Sequence, residues 1–253
     1  MEITLVGAGN LATNLGLALK QAGHVICQVY SRTENSAMAL ASLLDCPYTT
    51  DIKGIVNSDI VIISVKDDAL PQIGTALTDS PSIVVHTAGS VPMNVIKCKR
   101  RGVFYPMQTF SKSRPIDFSE IPIFLEASDE DSMNKLHALA STISRNIYSL
   151  NSEKRRYLHL AAVFACNFTN HCYHLADDIL KEVGLPFDVM LPLIDETARK
   201  VHDMSPRDAQ TGPAVRFDQS VMSKHTELLS GRTNEIYEIM SKSIFESHDK
   251  LRP

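Results

Sequence analysis

The chain has 253 residues, with 25 basic and 29 acidic side chains and a formal net charge of -4. Apolar residues make up 44% and charged residues 21%, a globular composition that excludes a disordered chain, a fibre or a low-complexity tail. A mildly acidic chain without Trp and with 6% aromatics lacks both the basic footprint and the stacking platform of a nucleic-acid binder.

Residues 3–6 read as a strand, 11–22 as a helix stopping near Gly23, 25–30 as a second strand, 36–44 as a helix and 47–50 as a short third strand. The run IVIISV at 60–65 is apolar and mostly β-branched, as expected of a strand buried on both faces. Residues 83–86, 103–105 and 121–125 continue the series. Strands alternating with helical patterns predict an α/β Rossmann-like domain with a mostly parallel sheet over residues 1–150.

Strand signals stop after about Asn146. Helical patterns cover 152–183, 187–203, 218–229 and 234–248, punctuated by Gly184, Pro206, the Thr211-Gly212-Pro213 turn and Gly231. Residues 151–253 are therefore expected to form an all-α C-terminal domain, joined to the first by a continuous helix. Residues 157–176 carry no formal charge over twenty residues, the length of a membrane span. His159, Asn167, Asn170, His171 and His174 lie within them and are costly in hydrocarbon, so the segment is expected to be a helix buried inside protein, with no membrane partner. Five cysteines, Cys27, Cys46, Cys98, Cys166 and Cys172, include no CxxC. They predict free thiols in a reducing cytoplasm. The opening MEITLVGAG does not read as a signal peptide.

The first strand runs into Gly7-Ala8-Gly9-Asn10-Leu11-Ala12, a GxGxxA turn opening a helix. Gly7 permits the tight turn, Gly9 lets backbone approach a pyrophosphate, and Asn10 and Leu11 begin a helix whose free N–H groups attract phosphate. NAD sites place Asp or Glu at the end of the second strand. Here Tyr30 is followed by Ser31, Arg32 and Thr33, with no acid before Glu34. A guanidinium flanked by hydroxyls suits a 2′-phosphate, so the expected cofactor is NADP(H). Val65 and Lys66 after one strand, and Thr87, Ala88 and Gly89 after another, are expected to line the same cleft.

The segments GAGNLA, YSRT, HTAGS, YPMQTF, HLAAVFACNF, PLIDET and TGPAVRFD occur in that order. Together they resemble a bacterial family of Rossmann-like NADP oxidoreductases with a helical C-terminal domain of unknown function. That family is related to pyrroline-5-carboxylate reductases, deazaflavin-dependent NADP oxidoreductases and the wider 6-phosphogluconate-dehydrogenase-like group. The resemblance flags Arg216, Asp218 and His225 as substrate-site residues. It also implies that the helical domains of two copies interlock into a homodimer. The chain departs from the pattern at Tyr105, where relatives often carry His, and at Phe217, where they carry a smaller residue. Val163 stands four residues before Asn167, so the Lys/Asn pair of hydroxyacid dehydrogenases is absent.

On a regular helix, His159, Asn167, Asn170, His171, His174 and Asp178 share one side. They either face a wet cleft or tie this helix to others. In the functional reading His159 supplies a proton and Asn167 holds a small-molecule substrate. Arg216 could bind a carboxylate; equally, Asp218 could pair with it while capping the next helix. His171, His174 and Asp178 do not form a metal-site motif, so no metal is expected. The expected activity is an NADP(H)-dependent hydride transfer to or from a small carbonyl or imine in a cleft between the domains. A non-catalytic NADP(H)-binding regulator is the alternative.

Overall fold

The computed structural model describes residues 1–249. β1 (Glu2–Val6) leads into α1 (Asn10–Gln21), β2 (Val25–Tyr30), α2 (Glu34–Leu44) and the two-residue β3 (Tyr48–Thr49). Then come β4 (Ile60–Ile63), α3 (Leu70–Ala76), β5 (Ile83–His86), β6 (Arg101–Pro106), β7 (Ile123–Ala127), α4 (Glu130–Ser141) and β8 (Ile147–Ser149). The eight strands form one sheet in the order β3-β2-β1-β4-β5-β6-β7-β8. Every pairing is parallel except the antiparallel β6–β7 pair. From β1 the chain winds outward to β3, then returns to β4 on the other side of β1. That reversal leaves a crevice beyond the carboxyl ends of β1 and β4, where open α/β sheets bind ligands.

Burial follows the two-residue period of a strand. Ile3, Leu5, Ile60, Ile62, Ile83 and Val85 point into one core with Leu15, Leu40 and Leu136 from the helices. Val6, Val61, Ile63 and Val84 point into a second core with Leu70 and Ile73. Apolar side chains on both faces explain why the central strands read as unbroken apolar runs. The strand expected at 121–125 lies at Ile123–Ala127. β8 has no counterpart in the sequence reading, because three residues at a sheet edge are too few to show a period.

Two compact units divide the chain, Met1–Asn167 and a second beginning at Phe168. The sheet ends at Ser149, and the first unit continues through α5 (Ser152–Ala162) and a π-helical turn, Val163–Phe168, to Asn167. Asn151 starts α5 by accepting the Lys154 N–H at 2.9 Å. Residues 157–176, expected to be a helix buried inside protein, are not buried by this chain alone. Tyr157 is 72% and Leu160 54% exposed, because α5 packs on the unit along the Arg155 side only.

The second unit contains α6 (Thr169–Glu182), α7 (Leu191–Asp203), α8 (Pro213–Arg216), α9 (Gln219–Leu228) and α10 (Gly231–Asp249). Leu180 and Ala214 are its buried apolar side chains among the described residues. Phe217 ends α8 with a left-handed φ of 54° and sets its ring 4.4 Å from that of Phe245. Among the described residues no helix is long and apolar enough to cross a membrane.

Candidate functional site

A cavity of about 630 Å³ follows the carboxyl edge of β1, β2, β4 and β5. Gly7 has a φ of +120° and donates its N–H to the Tyr30 carbonyl at 2.8 Å. A Cβ there would lie 2.1 Å from the Ser64 carbonyl oxygen, so β1 and β4 turn together only with glycine at this point. Gly9 caps α1, and a Cβ on it would meet nothing within 4 Å. The first turn of α1 holds no acidic residue and Gly9 has no capping side chain, which leaves N–H groups free for an anion.

Gly7, Gly9, Asn10, Leu11, Ser31, Arg32, Val65, Lys66, Thr87, Ala88 and Gly89 all line this cavity. Thr33 is not among its lining residues; it is the N-terminal residue flanking α2. Arg32 is exposed and makes no ion pair among the described residues. The nearest acid in sequence, Glu34, accepts a hydrogen bond from Tyr48 at 3.2 Å. Open space at Gly9, uncovered helix N–H groups and an unpaired guanidinium suit a dinucleotide with a phosphate on its adenosine ribose.

Two further residues of this cavity come from outside the nucleotide turns. Tyr105 stands near the end of β6 and His159 on α5. The Tyr105 hydroxyl lies 3.1 Å from His159 Nδ1, with the rings edge to face at 6.1 Å. A Cβ on Gly89 would sit 2.5 Å from His159 Nδ1, so glycine at 89 makes room for the imidazole. Tyr105 pairs across the strands with Phe124, which stacks on Tyr148 at 5.3 Å. Burial raises the Tyr105 pKa, opposed in part by the Arg155 charge, so the phenol keeps its proton at neutral pH.

Arg155, one helical turn before His159, is fully buried. Its guanidinium forms an ion pair with Glu126 and donates to the Val91 carbonyl at 2.6 Å and to Ser152 Oγ at 3.2 Å. Ser152 in turn donates to Glu126 at 2.7 Å and accepts from the Met93 N–H at 2.9 Å. This polar cluster fastens the start of α5 beside the loop after β5.

Tyr105 and His159 also line a second hollow of about 570 Å³ with Met107, Gln108, Leu158, Ala161, Ala165 and Asn167. His159 on α5 and Asn167 within the π turn thus meet at one hollow; such turns are common at functional sites. The π turn also breaks the regular helical spacing between His159 on α5 and the residues from Asn167 onward, so the place of His159 relative to Asn170, His171 and His174 on α6 does not follow from one wheel. His174 Nε2 lies 3.5 Å from Asp178, both exposed. Among the described residues no group of three or more His, Cys, Asp or Glu is placed to hold a metal ion. Arg216, Asp218 and His225 lie in the second unit. There Asp218 caps α9 through the Val221 N–H at 3.2 Å, and His225 Nδ1 lies 2.9 Å from the Tyr237 hydroxyl. Tyr105 is missing from the sequence-based candidates. The signal for it was its place near the end of a strand parallel to β5, at the edge where ligands bind.

Comparisons with known proteins agree with this geometry. Residues 2–89 match the family model described as NADP oxidoreductase coenzyme F420-dependent, and residues 121–244 match a domain of unknown function, DUF2520. A Bacteroides fragilis protein, described as a "putative NADP oxidoreductase", is 51% identical, with 97% of this chain and 98% of that chain covered and a TM-score of 0.93. A Thermotoga maritima protein has 22% identity over 98% of this chain and 99% of its own, with a TM-score of 0.81. A pyrroline-5-carboxylate reductase from Streptococcus pyogenes shares the fold at 13% identity, covering 99% of each chain with a TM-score of 0.65. No curated protein matches the chain.

His86, fully buried at the end of β5, titrates abnormally. Its Nδ1 accepts the Ala88 N–H at 3.2 Å. Burial first, and then the Arg155 charge, push its pKa down to about 4, against weaker opposing effects of the Pro92 carbonyl, Glu126 and Asp67. The folded chain keeps His86 neutral down to about pH 4, whereas the unfolded chain protonates it near 6.5. The unfolded state therefore takes up the extra proton, and stability falls as pH drops from about 6.5 towards 4, by about 3 kcal/mol in all. Thermal melts across that window should show the loss in the native chain and a flatter profile in His86→Gln. Equal slopes in the two proteins would exclude His86 as the source.

Proposed function

The chain belongs to the family of NADP oxidoreductases in which a coenzyme F420-dependent-type nucleotide domain precedes the DUF2520 domain, and we propose that it reduces a small carbonyl or imine compound with NADPH. The observation that carries this reading is the Tyr105–His159 pair, which lines both the nucleotide cavity and the adjoining hollow. NADPH, when bound, supplies a hydride. The turn at Gly7 and Gly9 receives the pyrophosphate at the N-terminus of α1, and Arg32 with Ser31 receives the 2′-phosphate. Thr87, Ala88 and Gly89, with Gly89 next to His159, would hold the hydride-donating end of the cofactor.

Tyr105 donates the proton to the substrate oxygen or nitrogen as negative charge grows there. Its raised pKa keeps that proton available at neutral pH. The Nδ1 of His159 stands within hydrogen-bond reach of the phenol and returns a proton to it. His159 also lines an outer hollow with Glu153 and Arg156. Asn167 holds a second polar atom of the substrate in the same hollow.

We further propose that a second copy of the chain covers α5. Tyr157 and Leu160, one turn apart on that helix, are both largely exposed, and a monomer seldom leaves such a stripe in water. A dimer also agrees with the thin apolar interior of the second unit.

Three outcomes are expected. Arg32→Ala should weaken NADPH binding by about 10- to 100-fold while leaving NADH almost unaffected, as measured by nucleotide titration. Equal losses would sink the 2′-phosphate assignment. Tyr105→Phe should lower kcat by about 10²- to 10⁴-fold on any ketone or imine the native enzyme turns over, with NADPH affinity retained, and His159→Gln should lower it less and shift its pH profile. An unchanged kcat in Tyr105→Phe would remove the phenol from the chemistry. Light scattering should give twice the chain mass for the native protein and a monomer for Leu160→Asp; a monomeric native protein would refute the dimer.

A further inference from the structure

Charge is divided unevenly between the two cavities that meet at Tyr105 and His159. The nucleotide cavity includes Arg32, Lys66 and Asp67 in its lining. The adjoining hollow has eleven lining residues, and none of them is Lys, Arg, Asp or Glu. Its apolar wall is made by Met107, Leu158, Ala161, Ala162, Ala165 and Cys166. Its remaining polar groups, Gln108, Thr109 and Asn167, are neutral. Ala161, Ala162 and Ala165 occur within five residues of one helical stretch, so short side chains open the space there. The volume of about 570 Å³ lies within the range of small-molecule sites.

The arginines of α5 lie outside this lining. Arg155 lies behind the site, bound to Glu126 and the Val91 carbonyl. Arg156 lines the outer hollow together with Glu153. His159, which shares its proton with Tyr105, is the one titratable base in this lining, so a carboxylate entering the hollow would give up water without meeting a permanently charged partner, which disfavours it. An apolar ring or chain would gain contact with the alanine, leucine and methionine surface.

We infer that the substrate is an uncharged ketone, aldehyde or imine with an apolar body, and that the hollow selects against a carboxylate on that body. This rests on the reading that the hollow is the substrate site of an NADPH-dependent reductase. Asn167 and Gln108 have room for one neutral polar substituent, whereas the alanines set the size of the apolar part.

The test uses matched pairs with the purified full-length protein. NADPH oxidation is measured with cyclohexanone and with 3-oxocyclohexane-1-carboxylate. Binding to the NADP⁺-saturated protein is measured with pyrrolidin-2-one and with 5-oxopyrrolidine-2-carboxylate, which are not reduced. The neutral member of each pair is expected to be favoured at least tenfold, in kcat/KM for the ketones and in Kd for the lactams. Ala165→Lys, at an exposed position of the wall, should reduce that preference at least tenfold while NADPH affinity stays unchanged. A carboxylate preferred or equally accepted overturns the inference and leaves the reductase reading standing. Selective lactam binding with neither ketone reduced overturns the reductase reading while the neutral pocket stands. If neither lactam binds, the hollow is not a site for this ligand class and the inference falls.

Discussion

One buried guanidinium sets the geometry on which the candidate site depends. Arg155 reaches inward from the first turns of α5 and is held by Glu126 from β7, by the Val91 carbonyl and by Ser152. A charge without water must keep its partners, since removing one leaves the other stranded in a medium that solvates it poorly. The direction of α5 is thereby tied to the antiparallel end of the sheet and to the loop after β5. His159 follows one turn later on the same side of the helix. It is carried against Gly89, which yields because it has no side chain, and against the Tyr105 phenol.

The Arg155 charge lowers the pKa of two neighbouring groups, His86 and Tyr105. Arg155 helps to keep His86 neutral, adding to the larger effect of burial, and it partly offsets the rise that burial causes in Tyr105. A neutral imidazole at the end of β5 accepts the Ala88 N–H and so shapes the loop that borders the nucleotide cavity. The phenol remains a proton donor. A buried cation is costly to place in a protein; here it stands directly behind the point where the nucleotide cavity and the apolar hollow join.

Residues near that junction come from three parts of the chain that meet only in the folded state. The GxGxxA turn announces itself because each residue answers a local backbone need. Gly7 must adopt a left-handed φ beside the Ser64 carbonyl, and Gly9 must leave its surroundings open. Arg32 was likewise legible, since an acid is absent where a ribose diol would call for one. Tyr105 was not, although it stands near the end of a parallel strand. An aromatic residue in an apolar strand looks like core until the register places it at the sheet's carboxyl edge and the neighbouring helix supplies its partner. A single helical wheel for residues 157–176 does not describe this segment, for a different reason. A π turn at Val163–Phe168 shifts every later residue relative to His159, and no composition rule marks where such a turn falls.

By itself, the sequence determined the parallel sheet, the change to helices after it, and the phosphate-binding turn. These follow from the two- and 3.6-residue periods and from glycine's backbone freedom, all of which act over a few neighbours. Only the tertiary structure decided that the charge-free helix stands partly exposed, that His159 meets Tyr105, and that a second hollow without charged side chains adjoins the nucleotide cavity. Each of those depends on which surfaces pack together, and packing is settled by partners distant in the chain. The net charge of -4 is the plainest case. A sum over residues carries no positions, whereas the structure sets an unpaired arginine in one cavity and a lining without Lys, Arg, Asp or Glu in the next.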